Sequence, residues 1–134
     1  MKVLAIDYGS KRIGLALGDT TLGIALPLEV IENKGEKTLQ VISNKVKDFG
    51  VHIILIGLPL TQRGKEGQRA KEVKGFTEKL KEFLPEDVEI ILWDERYTTE
   101  EAYRLMQGVG LKRKERLKDS LSAYIILLEY MESL

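Results

Sequence analysis

Carboxylates stand where chain elements end. Asp7 follows the apolar run VLAI and opens the turn DYGS, and Asp94 and Glu95 close the apolar run IILW. Asp119 sits in the first turn expected for the last helix. Acids drawn from three separated segments, each at an element terminus, suit divalent-cation chemistry. Mg²⁺ takes hard oxygen ligands, usually one or two carboxylates with water and substrate phosphate. Two such ions promote phosphodiester cleavage by activating a water and stabilising the leaving oxygen. Each acid also has a structural reading. Asp7 can shape its turn by accepting backbone N–H bonds. The Asp94–Glu95 pair can form a surface ion pair with Arg96, and Asp119 can answer the helix dipole. Side chains alternate along a strand, so one of Asp94 and Glu95 shares a face with Ile90 and Leu92, the other with Ile91 and Trp93. Only one of them can point as Asp7 does, and both assignments stay open. Asp119 shares a helix face with Ser122, Ala123 and Ile126. Two small residues there let that helix approach a sheet closely.

The elements that must carry these groups follow from periodicity. KVLAID is apolar on both faces, as a central strand is. IGLALGD and IALPLEVIE read as two further strands, so residues 2–32 predict a three-stranded meander joined by short turns. From Glu36 to Phe49 the period changes to that of a helix, with Leu39, Ile42, Val46 and Phe49 on one face and Gly50 beyond it. VHIILIG is a buried strand. Residues 68–84 form a helix carrying Val73, Phe76, Leu80 and Phe83, and VEIILWDE is the fifth strand. Thr98 with Glu101 marks a capping box for a helix bearing Ala102, Leu105, Met106 and Val109. A basic connector leads to a last helix from about Leu117 to Met131, whose apolar stripe reads Leu121, Tyr124, Ile125, Leu128 and Met131. The order βββαβαβαα predicts one α/β domain over residues 1–134, a mixed five-stranded sheet flanked by helices.

Composition removes most rival chemistries. Among 134 residues there is no cysteine and one histidine. Disulfides, thiolate metal sites and Cys nucleophiles are therefore excluded. A Ser-His-Asp triad has only His52, which lies early in an apolar strand and reads as structural. GLPLTQRGKEG fails as a P-loop, because six residues separate Gly57 and Gly64 where the motif needs four, and Glu66 follows Lys65. With 21 basic and 21 acidic side chains the formal net charge is zero, yet charge is unevenly spread. Residues 111–118 carry five bases and one acid, 63–81 seven bases and three acids, and 86–101 seven acids and one base. A basic connector just before Asp119 suits contact with a phosphate backbone, although a solvated loop has the same composition. No apolar run approaches the roughly 18 residues of a membrane span, and Asp7 interrupts any signal-peptide pattern. The expectation is a soluble, cytoplasmic protein without membrane partners.

Taken in order, LAIDYGSKRIGLALGD, GLPL with its following Gly, WDERYTT and DSLSAYIILLEYM resemble the YqgF/RuvX family of ribonuclease H-like proteins, over nearly the whole chain. The resemblance implies a ribonuclease H-like fold in which the second strand runs antiparallel to its neighbours. It implies Mg²⁺- or Mn²⁺-dependent nuclease activity with Asp7, Glu95 and Asp119 as catalytic metal ligands and Asp94 as the alternate. The bases assigned to nucleic acid are Lys11, Arg12, Arg96, Lys112, Arg113, Lys114 and Arg116. The family commonly reads Asn-Met-Asp-Gly after GLPL, where this chain has Thr61, Gln62, Arg63 and Gly64. A base replaces an acid there, against a metal role for that loop. Family proteins carry two labels, processing of the 5′ end of pre-16S ribosomal RNA and resolution of Holliday junctions. The modest basic segments favour structured RNA as partner, with branched DNA as the alternative, and a monomer or weak homodimer. Two other classes stand beside these, a non-catalytic nucleic-acid-binding module and an actin-like nucleotide binder. The latter needs two domains, and this length provides one.

Overall fold

The computed structural model describes residues 1–60, 63–94 and 120–134. The meander forms as expected: β1 (Lys2–Asp7), β2 (Arg12–Asp19) and β3 (Ile24–Glu32) pair antiparallel. α1 (Glu36–Phe49) then leads to β4 (Ile53–Leu58), α2 (Gln68–Lys81) to β5 (Glu89–Asp94), and α3 (Leu121–Glu132) ends the described chain. The sheet order is β3-β2-β1-β4-β5, with β4 parallel to both β1 and β5. β1 is thus the middle strand, which is why its sequence is apolar on both faces. Among the described residues no helix is long and apolar enough to cross a membrane.

The two faces of the sheet differ in side-chain size. One presents Leu4, Ile6, Ile13, Leu15, Ile54 and Ile56 to Leu39, Ile42 and Val46 of α1 and to Val73, Phe76 and Leu80 of α2. The other presents Val3, Ala5, Ala16, Ile53 and Leu55 to Ala123, Ile126, Leu127 and Tyr130 of α3. Ala5 lies directly opposite Ala16. A Cβ added at Gly18 would sit 3.0 Å from Leu127 Cδ1 and from Met131 Sδ. Small residues on both sides bring α3 close to the sheet.

Boundaries shift where hydrogen bonds compete. β4 starts at Ile53 rather than 51, because the Val51 N–H finishes α1 by donating to the Val46 carbonyl. α2 stops at Lys81, and the amides of Glu82, Phe83 and Leu84 turn back three residues in a tightened last turn. The stripe expected on α3 is corrected. The buried residues are Ala123, Ile125, Ile126, Leu127 and Tyr130, while Leu121, Tyr124, Leu128 and Met131 are half-buried. This helix is apolar nearly all round, so periodicity selects no face; the close fit of Ala123 against the small-residue sheet face does. The capping-box helix at 98–109 and the first turn expected for α3 at 117–119 lie outside the described residues.

Candidate active site

The C-terminal ends of β1, β4 and β5 lie side by side, the region of an open α/β sheet where ligands gather. In the register Ile6 faces Ile56, which faces Leu92. Continued by one residue, Asp7 comes level with Gly57 and Trp93, and Asp94 lies one step beyond. Alternation puts Asp7 on the face of Val3 and Ala5, covered by α3. Ile90 packs on the α1–α2 side, whereas Ile91 and Trp93 pack on the α3 side. Asp94, exposed at the strand end, therefore has the parity opposite to Asp7. It also stands two strand spacings away, roughly 10 Å. The structure does not bring Asp94 and Asp7 together on one face.

Asp7 is partly buried. Burial raises its carboxyl above the ordinary value, and the Arg69 guanidinium partly offsets this. Among the described residues no hydrogen bond reaches its oxygens, and no fully buried side-chain oxygen or nitrogen lacks a partner. Asp19, which also ends a strand, is the contrast. Its Oδ1 accepts the Thr21 and Leu22 amides at 2.9 and 3.3 Å. Desolvation works against its ionisation, but those two bonds, the N-terminal ammonium and Lys2 together hold it below the ordinary value. Asp19 is a turn residue with its partners in place. Among the described residues Asp7 has no such partner, so turn-shaping by them does not account for it. A partly buried carboxylate with no donor among those residues has the hard oxygens that suit a divalent cation.

The turn after Asp7 is held from three sides. Tyr8 packs on Phe76 with ring centroids 4.6 Å apart. Asn33 Nδ2 donates to the Gly9 carbonyl at 3.0 Å, and the Asn33 amide to the Lys11 carbonyl at 2.9 Å. A Cβ at Gly9 would lie 2.4 Å from the Arg12 carbonyl oxygen, so the tightness of the turn requires glycine. Lys11 and Arg12 are exposed on this turn, at the same end of the sheet as Asp7. Arg69, second residue of α2, donates from Nη2 to the Tyr8 carbonyl at 3.3 Å. Sequence reasoning counted Arg69 within a basic segment and did not single it out; its place in the first turn after the Gly-containing loop was the available signal.

His52 lies at the other end of the sheet. Its amide donates to the Lys2 carbonyl and its carbonyl accepts the Glu89 amide. The five residue steps from Lys2 to Asp7 span about 16 Å, which separates His52 from Asp7. The loop after β4 closes on itself through a bridge between Leu60 and Glu66 and an ion pair of Glu66 with Lys74. Glu95, Asp119, Arg96, Lys112, Arg113, Lys114 and Arg116 lie outside the described residues. Among the described residues no group of three His, Cys, Asp or Glu is placed to hold a metal. Ser120, next to Asp119 in sequence, is fully buried, as are Ala123 and Ile126. Part of the face assigned to Asp119 is thus the face that meets the sheet.

Known proteins bear on this arrangement. A fowlpox virus Holliday junction resolvase superposes over the whole of both chains, with a TM-score of 0.67 and 15% identity. Thermus thermophilus RuvC, solved with a Holliday junction, covers 99% of this chain and 96% of its own, at TM-score 0.57 and 14% identity. At such identities the likeness concerns fold, and the fold is ribonuclease H-like. A protein of Sulfurihydrogenibium sp. named "Putative pre-16S rRNA nuclease" is 42% identical over 133 residues, 99% of this chain and 91% of the relative. One of Protochlamydia amoebophila with the same name is 42% identical over 142 residues, 98% and 93% of the two. The family model described as "RuvX: Holliday junction resolvase" matches residues 1–133. Agreement with the family over residues 1–133, and with relatives at this identity over nearly the whole of both chains, means that the chain belongs to the RuvX family of nucleases.

Proposed function

We propose that this protein is a Mg²⁺- or Mn²⁺-dependent endonuclease that hydrolyses phosphodiester bonds in 5′-end processing of pre-16S ribosomal RNA. The observation that carries the reading is Asp7, a partly buried carboxylate at the end of the middle strand that has no hydrogen-bond donor among the described residues. Asp7, Glu95 and Asp119 are the proposed ligands. Glu95 is preferred over Asp94 because Asp94 has the parity of Ile90 and Leu92, opposite to that of Asp7. When bound, the cation supplies Lewis-acid activation of water and neutralises charge on the scissile phosphate. The chain's own part is to hold the carboxylates and to present Lys11 and Arg12 at the Asp7 end of the sheet, with Arg96, Lys112, Arg113, Lys114 and Arg116 as the further proposed contacts to nucleic acid. The names of the relatives support ribosomal RNA as substrate.

The test is cleavage of a pre-16S leader RNA and of a four-way DNA junction, each with and without Mg²⁺ or Mn²⁺. Wild type is expected to cut the leader RNA only with metal, and Asp7→Asn to lose cutting by at least a hundredfold while remaining folded. An Asp7→Asn variant that cuts like wild type sinks the assignment. The description of the family as a Holliday junction resolvase favours one second reading, resolution of branched DNA. Metal-dependent cutting of the junction in preference to the RNA selects it.

A further inference from the structure

Arg69 is the cation next to the proposed metal ligand. It is exposed, and it stands in the first turn of α2. Its Nη2 is anchored to the Tyr8 carbonyl, the residue after Asp7, by one long bond of 3.3 Å. A guanidinium has five N–H donors in a planar fork suited to phosphate oxygens. Among the described residues one is committed, and to a neutral acceptor. We propose that Arg69 contacts the substrate phosphate presented at Asp7 and, before a metal binds, serves as the counter-ion of that carboxylate. The inference rests on the nuclease reading above.

The physical argument is an exchange of partners. Without metal, the desolvated Asp7 has Arg69 as its nearby positive charge. A divalent cation at Asp7 takes over that role, and its field disfavours a second cation at close range. The phosphate of the substrate then gives the guanidinium a new anion, and the long bond to Tyr8 is weak enough to be exchanged. Two effects of opposite sign follow from removing Arg69. The metal loses a repulsive neighbour and binds tighter, while the nucleic acid loses a charged hydrogen-bond donor and binds more weakly. A purely structural role at the Tyr8 carbonyl predicts neither.

The experiment titrates Mn²⁺ by calorimetry into wild type, Arg69→Ala and Arg69→Lys, with thermal unfolding of each. Binding of a pre-16S leader RNA and of a four-way DNA junction is measured alongside, in Ca²⁺ to suppress cutting. Arg69→Ala is expected to tighten Mn²⁺ binding ~3-fold or more. It should weaken binding of whichever nucleic acid the wild type prefers by ~10-fold. Arg69→Lys keeps the charge without the fork. It should restore wild-type Mn²⁺ affinity and only part of the nucleic-acid affinity. Arg69→Gln replaces Arg69→Ala if the latter unfolds. If wild type binds Mn²⁺ and the neutral variants bind it equally, the inference about Arg69 fails alone. If wild type binds no Mn²⁺ at all, the metal-dependent reading fails and takes this inference with it.

Discussion

Asp7 and Asp19 are the same residue type at the ends of adjacent strands, and they respond to pH in opposite senses. Burial holds the Asp7 carboxyl above its ordinary value, so its ionisation destabilises the folded chain. Its contribution is most favourable below the ordinary carboxylate value and is lost as pH rises through the raised folded value. In metal-free buffer at pH 7, Asp7→Asn is therefore expected to melt above wild type. The difference should shrink as pH falls toward the ordinary carboxylate range, and thermal scans at several pH values check it. Mn²⁺ should then raise the melting point of wild type, as any ligand of the native state does, and leave that of Asp7→Asn nearly unmoved. Asp19 is held below its ordinary value by the Thr21 and Leu22 amides against some desolvation. Its contribution is present above the ordinary value and is lost as pH falls through the depressed one. Asp19→Ala should accordingly lose stability at neutral pH and converge with wild type in acid.

The close approach of α3 to the sheet depends on Ala5, Ala16, Gly18 and Ala123. Gly18→Val would press branched carbons on Leu127 and Met131. Overpacking of this kind is expected to lose about 1–3 kcal/mol, read from the urea midpoint at unchanged slope. Under the proposed ligand set the position of α3 also bears on activity, because Asp119 comes two residues before Leu121 in sequence. A displaced α3 should weaken Mn²⁺ affinity along with stability. Trp93 gives an optical reporter for the movement. Its Nε1 donates to Glu129 Oε2 at 3.0 Å, and its ring meets Tyr130 edge-on at 5.7 Å. Its fluorescence should therefore change in Gly18→Val before the global transition.

For the whole molecule, zero net charge is the sum of unlike parts. Seven acids in residues 86–101 stand against basic runs at 63–81 and 111–118. Affinity for nucleic acid is then expected to fall steeply with salt despite the neutral total. Replacing Lys112, Arg113, Lys114 and Arg116 by Gln should flatten the slope of log K against log salt by roughly 3 for a single-stranded RNA. An unchanged slope would remove those four from the interface. Much of the fold was legible beforehand because the local signals agreed. β1, β3 and α1 fall at the boundaries their periodicity predicts, and the two-sided apolar β1 is the middle strand. Residue type and position at an element end marked Asp7 as a candidate, and the absence of cysteine left carboxylates as the candidate ligands. Tertiary structure alone decided three matters. It set the face of α3, since an apolar surface all round carries no period to read. It set the parity of Asp94, since alternation fixes which residues share a face but not which face another strand shows. It brought Arg69 to the turn beside Asp7, since the two are 62 positions apart in sequence and come near each other because β4 returns parallel beside β1 and α2 follows it.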